Sequence, residues 1–274
     1  MTGSFRAACI QLRSGEDLGE NVRAASALIR EAAAGGARFI ATPENTTLMA
    51  ADAGAKLSSS YPEPDDPALP VFAALAAELG VHLLIGSLAI KVSQVKTANR
   101  SILFAPDGQV AARYDKIHLF DVTLDGGEAY AESNTVAGGD RAVLAQTPWG
   151  KIGLTVCYDL RFPRLYRTLA LGGAFAFTVP SAFTVPTGEA HWHVLLRARA
   201  IENGAFVIAP AQDGTHANGR RTYGHSLIVG PWGEVLAEAG TEPGVIYADI
   251  DPAASAAARA KLPNLRHGRD FSGP

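Results

Sequence analysis

Along this chain, apolar residues alternate with polar ones, shift to a helical period, and alternate again, and the same order of patterns comes round twice. Residues 5–12, Phe-Arg-Ala-Ala-Cys-Ile-Gln-Leu, read as a buried strand, and residues 20–34 place apolar side chains at the three- and four-residue spacing of an amphipathic helix. Two later stretches echo each other. Gly36-Ala-Arg-Phe-Ile-Ala-Thr-Pro43 and Gly173-Ala-Phe-Ala-Phe-Thr-Val-Pro180 both open on Gly-Ala, run through an apolar strand and close on proline. Each follows a helical pattern, residues 20–34 or 164–171, with Gly-Gly at the helix C-terminus where positive φ is needed. Ser101-Ile-Leu-Phe-Ala-Pro-Asp-Gly-Gln-Val110 and Ser226-Leu-Ile-Val-Gly-Pro-Trp-Gly-Glu-Val235 both read as hairpins, with proline at the first central turn position and glycine two residues on. Each half adds one helix, residues 67–79 or 190–203, and one strand, residues 81–88 or 206–212.

This double pattern predicts an α/β protein in which each half supplies a sheet with helices on one face. The uncovered apolar faces must exclude water against each other, which gives a four-layer α-β-β-α sandwich with internal pseudo-two-fold symmetry over residues 1–274 as one domain. A single doubly wound sheet is the competing arrangement, and the two hairpins argue against it because such sheets rely on helical crossovers. Residues 57–70, rich in Ser, Pro and Asp, and residues 119–140, rich in Gly and acidic side chains, are expected to be loops near a site. Residues 263–274 lack a core pattern and are expected to form a surface strap or an arm reaching a second subunit.

Composition narrows the partners. With 47% hydrophobic and 19% charged residues, the chain has the balance of a globular protein. A formal charge of −3 with scattered basic residues recommends no nucleic acid, so a small-molecule ligand is expected. No apolar run reaches membrane-spanning length, and Met-Thr-Gly-Ser leads directly into the first strand without a signal-peptide pattern; a cytoplasmic location is expected. The two cysteines belong to no C-x-x-C pair, which disfavours a disulfide framework or a zinc site, and Cys9 inside the first strand pattern reads as core.

Cys157 is different. In Gly153-Leu-Thr-Val-Cys-Tyr-Asp-Leu-Arg-Phe-Pro163 an apolar strand, residues 151–156, stops on the thiol, and residues 163–171 read as a helix. A strand-to-helix turn displays a nucleophile, and a helix N-terminus lowers a thiol pKa; the same position also suits a small inert core residue. Residues 37–42 end in Pro-Glu-Asn, which puts Glu44 at the corresponding strand end of the other half. The strand at residues 110–113 leads into Tyr114-Asp-Lys-Ile-His-Leu-Phe120 and places Lys116 at another such edge. Carboxylate, ammonium and thiol can therefore converge on one rim, although a strand-end glutamate or lysine alone is more often solvated.

In these contexts the chain resembles the nitrilase (carbon–nitrogen hydrolase) superfamily, whose three signatures centre on glutamate, lysine and cysteine. They stand here as Thr-Pro-Glu44-Asn, Tyr-Asp-Lys116-Ile-His-Leu-Phe-Asp and Gly-Leu-Thr-Val-Cys157-Tyr-Asp-Leu-Arg-Phe-Pro. The resemblance runs nearly end to end. It takes in Tyr130-Ala-Glu132-Ser-Asn, which looks like the second active-site glutamate, and Pro180-Ser-Ala-Phe183, His191-Trp, Arg197-Ala-Arg-Ala and Tyr223-Gly-His-Ser. It implies the α-β-β-α sandwich, commonly a homodimer, and amide hydrolysis without cofactor or metal. Of the branches, the deaminated-glutathione amidases look closest and the omega-amidases, acting on α-ketoglutaramate, next. A non-catalytic ligand-binding module using the same pocket is the alternative from another class.

Amide hydrolysis needs a nucleophile, a base, an oxyanion stabiliser and an acid for the departing amine. The resemblance gives these roles to Cys157, to Glu44 as base and acid in turn, and to Lys116 with the backbone N–H of Tyr158, while Glu132 orients Lys116 and the substrate. Lys116 is expected to favour the thiolate. Ser181 and Phe183 fall to substrate binding by the same match. Arg161 suits a bidentate clamp on a substrate carboxylate, or equally a structural ion pair at a helix start, and Arg220 and Arg221 suit a further carboxylate or plain solvation. Glu128 lies outside the matched motif and reads as solvated. His191 and His193, two apart on a helix, fail the i, i+4 spacing of helical metal ligands, and His193 stands where close relatives show glutamate after His-Trp. His118 or His225 beside Cys157 would make a cysteine–histidine hydrolase.

Overall fold

Alternation along the strand Phe5–Gln11 sorts its side chains between two cores: Phe5, Ala7 and Cys9 enter one, and Ala8 and Ile10 enter the other. The computed structural model describes residues 3–123, 129–217 and 219–273. Its α-helices are α1 (Leu18–Ala34), α2 (Ala53–Ser58), α3 (Ala68–Leu79), α4 (Pro163–Leu171), α5 (Val185–Asn203) and α6 (Pro252–Lys261). The Ala8 face lies beneath Val22, Ala25 and Ile29 of α1 and Phe72 and Leu75 of α3. The Ala7 face meets Ile152 and Leu154, which belong to a second sheet. Helices α4 and α5 cover that sheet through Leu165, Tyr166, Trp192 and Leu196. The result is a four-layer α-β-β-α sandwich, and the single doubly wound sheet is set aside by the presence of two main sheets.

The first sheet runs Gly244–Ile250, Phe5–Gln11, Phe39–Ala41, His82–Lys91, Thr97–Phe104, Val110–Asp115; the second runs Val235–Glu238, Leu227–Val229, Phe206–Ala209, Ala174–Thr178, Gly150–Leu154, Val143–Thr147. Parallel pairing occupies the centre of each, with Ala7 opposite Phe39 and Ile152 opposite Ala176. The hairpins flank it, Leu103 opposite Ala112 and Val229 opposite Val235.

Several expectations need correction. The halves are not self-contained: the strand Gly244–Ile250 leaves the second half and pairs antiparallel with Phe5–Gln11, Phe5 opposite Ile250. Helix α6 then returns to the second sheet, where Arg259 donates to Asn203 O and Ala174 O and Ser255 donates to Gly204 O. Helix α5 starts at Val185, five residues before the apolar pattern becomes clear, because Pro186 fits a first helical turn. Residues 57–70 are not a plain loop; they hold the end of α2, the 3₁₀ turn Glu63–Asp65 and the start of α3. Within residues 119–140, Asp121–Thr123 pairs with Ala129–Ala131, the turn Glu132–Asn134 follows, and Val136–Ala137 joins the first sheet beside Thr97. Residues 124–128, including Glu128, lie outside the described residues, as does residue 218 within the loop that carries Arg220. No helix of the described residues is long and apolar enough to cross a membrane.

Candidate active site

Glu44 follows a strand that ends at Ala41, on a turn held from three sides. Thr42 Oγ1 accepts from Gly86 N at 3.0 Å and lies 2.7 Å from Thr46 Oγ1, while Asn45, at φ 57°, donates its N–H to Ser87 Oγ at 2.9 Å. Gln212 Nε2, from the other half, donates to Glu44 O at 3.0 Å and to Asn45 O at 3.2 Å. Gly86 permits this approach: a Cβ there would stand 2.0 Å from Thr42 O and 2.6 Å from Pro180 Cβ.

Cys157 opens the 3₁₀ turn Cys157–Arg161 at φ 50°, a left-handed conformation costly for a side-chain-bearing residue. Surrounding bonds impose it. Cys157 N donates to Pro180 O at 2.9 Å, and the wholly buried Asp159 accepts from Val156 N at 2.9 Å, His118 N at 3.0 Å and Tyr114 Oη at 2.6 Å. The carboxylate of Asp159 thus takes a capping role, satisfying the N–H of Val156 just before the turn.

Lys116 extends from the end of the Val110–Asp115 strand, its N–H bonded to Asn99 O at 3.0 Å. Its Nζ lies 2.9 Å from Glu44 Oε1 and 2.9 Å from Glu132 Oε2. Asn99 Nδ2 donates to the same two glutamates, 2.9 Å to Glu44 Oε1 and 3.1 Å to Glu132 Oε1, and Phe120 N donates to Glu132 Oε2 at 2.7 Å. Glu44, Lys116 and Asn99 are all buried, so the bonds they make to one another lie in a poorly screened interior, and Glu132 joins them from a partly exposed position.

The electrostatics follow from that burial. Desolvation works against the Lys116 ammonium, but Glu132 and Glu44 outweigh it, together with the neighbouring Cys157, and hold its pKa well above the usual lysine range. Desolvation likewise works against the Glu132 carboxylate, and Lys116, Lys56 and the bond from Phe120 N hold it down regardless. For Cys157, burial pushes the thiol up and Glu44 pushes it further, while Lys116 and the Ala182 backbone N–H oppose without prevailing. Lys116 favours the thiolate as expected, but the expectation that the strand-to-helix turn lowers the thiol pKa is corrected, because burial beside a carboxylate outweighs the lysine and the short 3₁₀ turn. The thiol needs a base at the moment of attack. Cys9 is also pushed up by burial, is fully enclosed, and takes no part in the site.

Glu44, Lys116, Glu132, Cys157, Tyr158, Arg161 and Phe183 line one cavity of about 590 Å³. Ser181 does not: it is enclosed behind the wall, its hydroxyl donating to Val179 O at 3.0 Å. Arg161 lies 3.3 Å from His191 Nδ1 and over the rings of Tyr158 and Phe183, so the carboxylate partner of a structural ion pair is not among its described contacts. Arg220 reaches the cavity, donates to Ala182 O and lies over the Tyr130 ring, whereas Arg221 is exposed and outside it. His118 is 2.7 Å from Asp159 and stacked on Phe162, and neither it nor His225 lines the cavity, which removes the support for a cysteine–histidine pair. His193 and His225 instead share Glu238 Oε1, at 2.9 and 3.0 Å. These three side chains are spaced as metal donors could be, yet none reaches the cavity that holds Cys157.

Sequence reading missed Asn99, Tyr114, Asp159 and Gln212. Tyr114 and Asp159 sit inside the lysine and cysteine signatures, two residues from each functional side chain, where a buried polar partner was available to be inferred. Asn99, third in the strand Thr97–Phe104 with Thr97, Arg100 and Ser101 close by in sequence, carries no local signal beyond the cost of burying its amide. Lys56 also lines the cavity without having been singled out.

A four-layer sandwich with a thiol, a lysine and two carboxylates gathered in one cavity defines the class, a hydrolase of the nitrilase superfamily. The family model described as Carbon-nitrogen hydrolase matches residues 6–260, and the chain belongs to that family, whose members hydrolyse carbon–nitrogen bonds other than peptide bonds. It is 40% identical over 268 residues to a deaminated glutathione amidase of Synechocystis sp. (strain PCC 6803 / GT-S), covering 96% of this chain and 97% of the relative. It is 38% identical over 270 residues to the omega-amidase NIT2 of Homo sapiens, covering 97% and 95% respectively. The solved structure of the C. elegans NitFhit protein superposes with a TM-score of 0.91 at 34% identity, over 98% of this chain and 66% of that one.

Proposed function

We propose that the protein cleaves a small carboxylate-bearing amide through a thioester on Cys157, with deaminated glutathione as the favoured substrate. The observation that carries this is Lys116 Nζ held 2.9 Å from both Glu44 and Glu132 in the cavity that Cys157 lines. Cys157 Sγ attacks the amide carbon while Glu44 takes the thiol proton, which a buried thiol kept neutral requires. The carbonyl oxygen gains the negative charge, and Lys116 Nζ and the Tyr158 N–H stabilise it. Collapse breaks the carbon–nitrogen bond as Glu44 delivers the proton to the leaving amine. Glu44 then takes a proton from water, whose oxygen attacks the thioester carbon, and the thiol leaves with the acid product formed. Glu132 and Asn99 hold Lys116 and Glu44 in place throughout.

No step in this sequence calls on a cofactor. Arg161 and Phe183 contribute to binding the acyl half, the guanidinium meeting a carboxylate and the ring covering the chain. A second reading, an omega-amidase acting on α-ketoglutaramate, is supported by the similarity to the human enzyme. A cytoplasmic setting suits a protein that depends on a free thiol. A homodimer is supported by exposed apolar residues on α5 and beside it, Val194, Ile201 and Trp232. The test is a comparison of kcat/KM for deaminated glutathione, α-ketoglutaramate, simple aliphatic amides and N-carbamoyl amino acids. The favoured reading expects deaminated glutathione to lead by at least tenfold (about 1.4 kcal/mol); comparable rates on all four overturn it, and no ammonia or amine release from any of them points to a non-catalytic binding module.

A further inference from the structure

We propose that His193, His225 and Glu238 form a site for a divalent transition-metal ion, zinc foremost, which fastens α5 to the edge strand of the second sheet. The proposal goes beyond the amidase reading and takes nothing from it. Its three side chains are remote in sequence: His193 comes from α5, His225 from just before the strand Leu227–Val229, and Glu238 from the end of the edge strand Val235–Glu238. Pairing sets Glu238 opposite Leu227, next to the turn that carries His225. His193 Nε2 and His225 Nδ1 approach the same oxygen, Glu238 Oε1, at 2.9 and 3.0 Å, and the three donor atoms lie within 4.8 Å of one another.

The scaffold behind these atoms is tied together. His225 holds a left-handed φ of 54°, with its N–H donating to Gly240 O at 3.1 Å and its carbonyl accepting from Trp192 Nε1 at 2.8 Å. Trp192 is buried and directly precedes His193, so this bond joins the two backbones that carry the imidazoles. The Tyr223 ring stacks on His225 at 4.3 Å between centroids and stands at 88° to His193, which restricts both imidazoles.

The donor set decides which ion fits. Burial works against ionisation of Glu238, but the bonds from His193 and His225 hold its pKa below the usual carboxylate range. An ionised carboxylate only accepts, so both ring nitrogens carry a proton towards one shared oxygen. Zinc takes imidazole nitrogen and carboxylate oxygen at about 2.0–2.2 Å, which sets tetrahedral donors about 3.3 Å apart. The two spacings to Glu238 therefore open by only a few tenths of an ångström to admit the ion. Each nitrogen surrenders its proton to its ring partner or to solvent, leaving two neutral imidazoles and a carboxylate as donors. Nitrogen donors favour zinc and its transition-metal neighbours over magnesium and calcium, which prefer oxygen. The side chains of His193, His225 and Glu238 are 32%, 26% and 38% exposed, so the ion enters from solvent and water completes its coordination. None of the three lines the Cys157 cavity, whereas Thr187 of α5 does, so the ion steadies a wall without joining the reaction.

The chief competing role is a hydrogen-bonded clamp in which Glu238 serves the two histidines and no metal binds. Equilibrium dialysis with Zn²⁺ separates the two, and Co²⁺ serves as the visible probe. Both are measured on Cys157→Ala, so that the thiol cannot compete, and on the same protein with His193→Gln, His225→Asn or Glu238→Gln added. Asparagine suits the left-handed backbone at position 225, and His193→Gln changes only a partly exposed helix position. We expect Cys157→Ala to bind one zinc per chain with a Kd on the order of 1 µM, and each added change to weaken binding at least about tenfold. The visible bands of tetrahedral Co²⁺ should appear in Cys157→Ala and be lost in all three. Zinc should raise the unfolding midpoint of Cys157→Ala and leave those of the three variants unmoved. Zinc held equally by all four proteins, or not bound by Cys157→Ala at roughly 100 µM, overturns the proposal. Displacement of zinc by an equal concentration of Mg²⁺ overturns it as well.

Discussion

Tyr114 and Asp159 meet at 2.6 Å, the hydroxyl of one sheet donating to a carboxylate at the end of the other. Tyr114 stands two residues before Lys116 and Asp159 two residues after Cys157, so this bond ties the strand that delivers the ammonium to the turn that displays the thiol. The Tyr114 hydroxyl also accepts from Ile117 N at 3.3 Å, which fixes the chain on the other side of the lysine. Tyr114→Phe removes one bond to a wholly buried carboxylate and is expected to cost about 1–3 kcal/mol of stability. Steady-state kinetics should show kcat falling by more than KM rises, because the change loosens the reacting groups rather than the substrate contacts. Unchanged denaturant midpoint and unchanged kcat would show the bond to be incidental.

Asn99 makes a second such tie, its amide donating to both glutamates. Asn99→Leu keeps the volume and loses both bonds, and kcat is expected to fall on the order of 10- to 100-fold. Asn99→Asp adds a third carboxylate to the pair, so the cluster keeps a proton to higher pH and the acid limb of the pH–rate profile moves upward. A profile superposable on the wild type would refute this arrangement.

Glu132 predicts the direction of an acid effect. Burial works against its ionisation, but Lys116, Lys56 and the bonds from Lys116 and Phe120 N hold its pKa down to about 2 in the folded protein. The unfolded value is about 4.3, so between these values the unfolded chain binds more protons than the folded one. The stabilisation is therefore fully present above the unfolded value and is lost as pH falls towards the folded one. Glu132→Gln should be less stable at pH 7 and should lose stability less steeply below about pH 4.3. Denaturant titrations between neutral pH and the acid range check this, and equal slopes for both proteins would contradict it.

How far the sequence carries the structure depends on the reach of the signal. The strands Phe5–Gln11 and Ala174–Thr178 and the helix Pro163–Leu171 are local patterns, and each forms where its own periodicity and caps direct. The strand Gly244–Ile250 went unrecognised in the sequence because its role is set by a partner far away in the chain, Phe5–Gln11. Helix α6 was overlooked although Asp251 before Pro252 is a helix-start signal, since its alanine-rich face has little apolar contrast. Glu44, Lys116 and Cys157 were legible because each sits in its own motif at a strand end. Their electrostatics were not: whether Cys157 rests as thiol or thiolate depends on burial and on Glu44 and Lys116 acting together. Ser181 shows the same limit, as a motif position whose side chain turns to Val179 O instead of the cavity.

The central claim is that Cys157 carries the acyl group. Its most direct test is the rate of ammonia release from α-ketoglutaramate by Cys157→Ala, in protein whose circular dichroism and unfolding midpoint match the wild type. The account predicts a fall of roughly 10⁴-fold or more, the scale seen when a covalent nucleophile is removed. A rate within about tenfold of the wild type would contradict it.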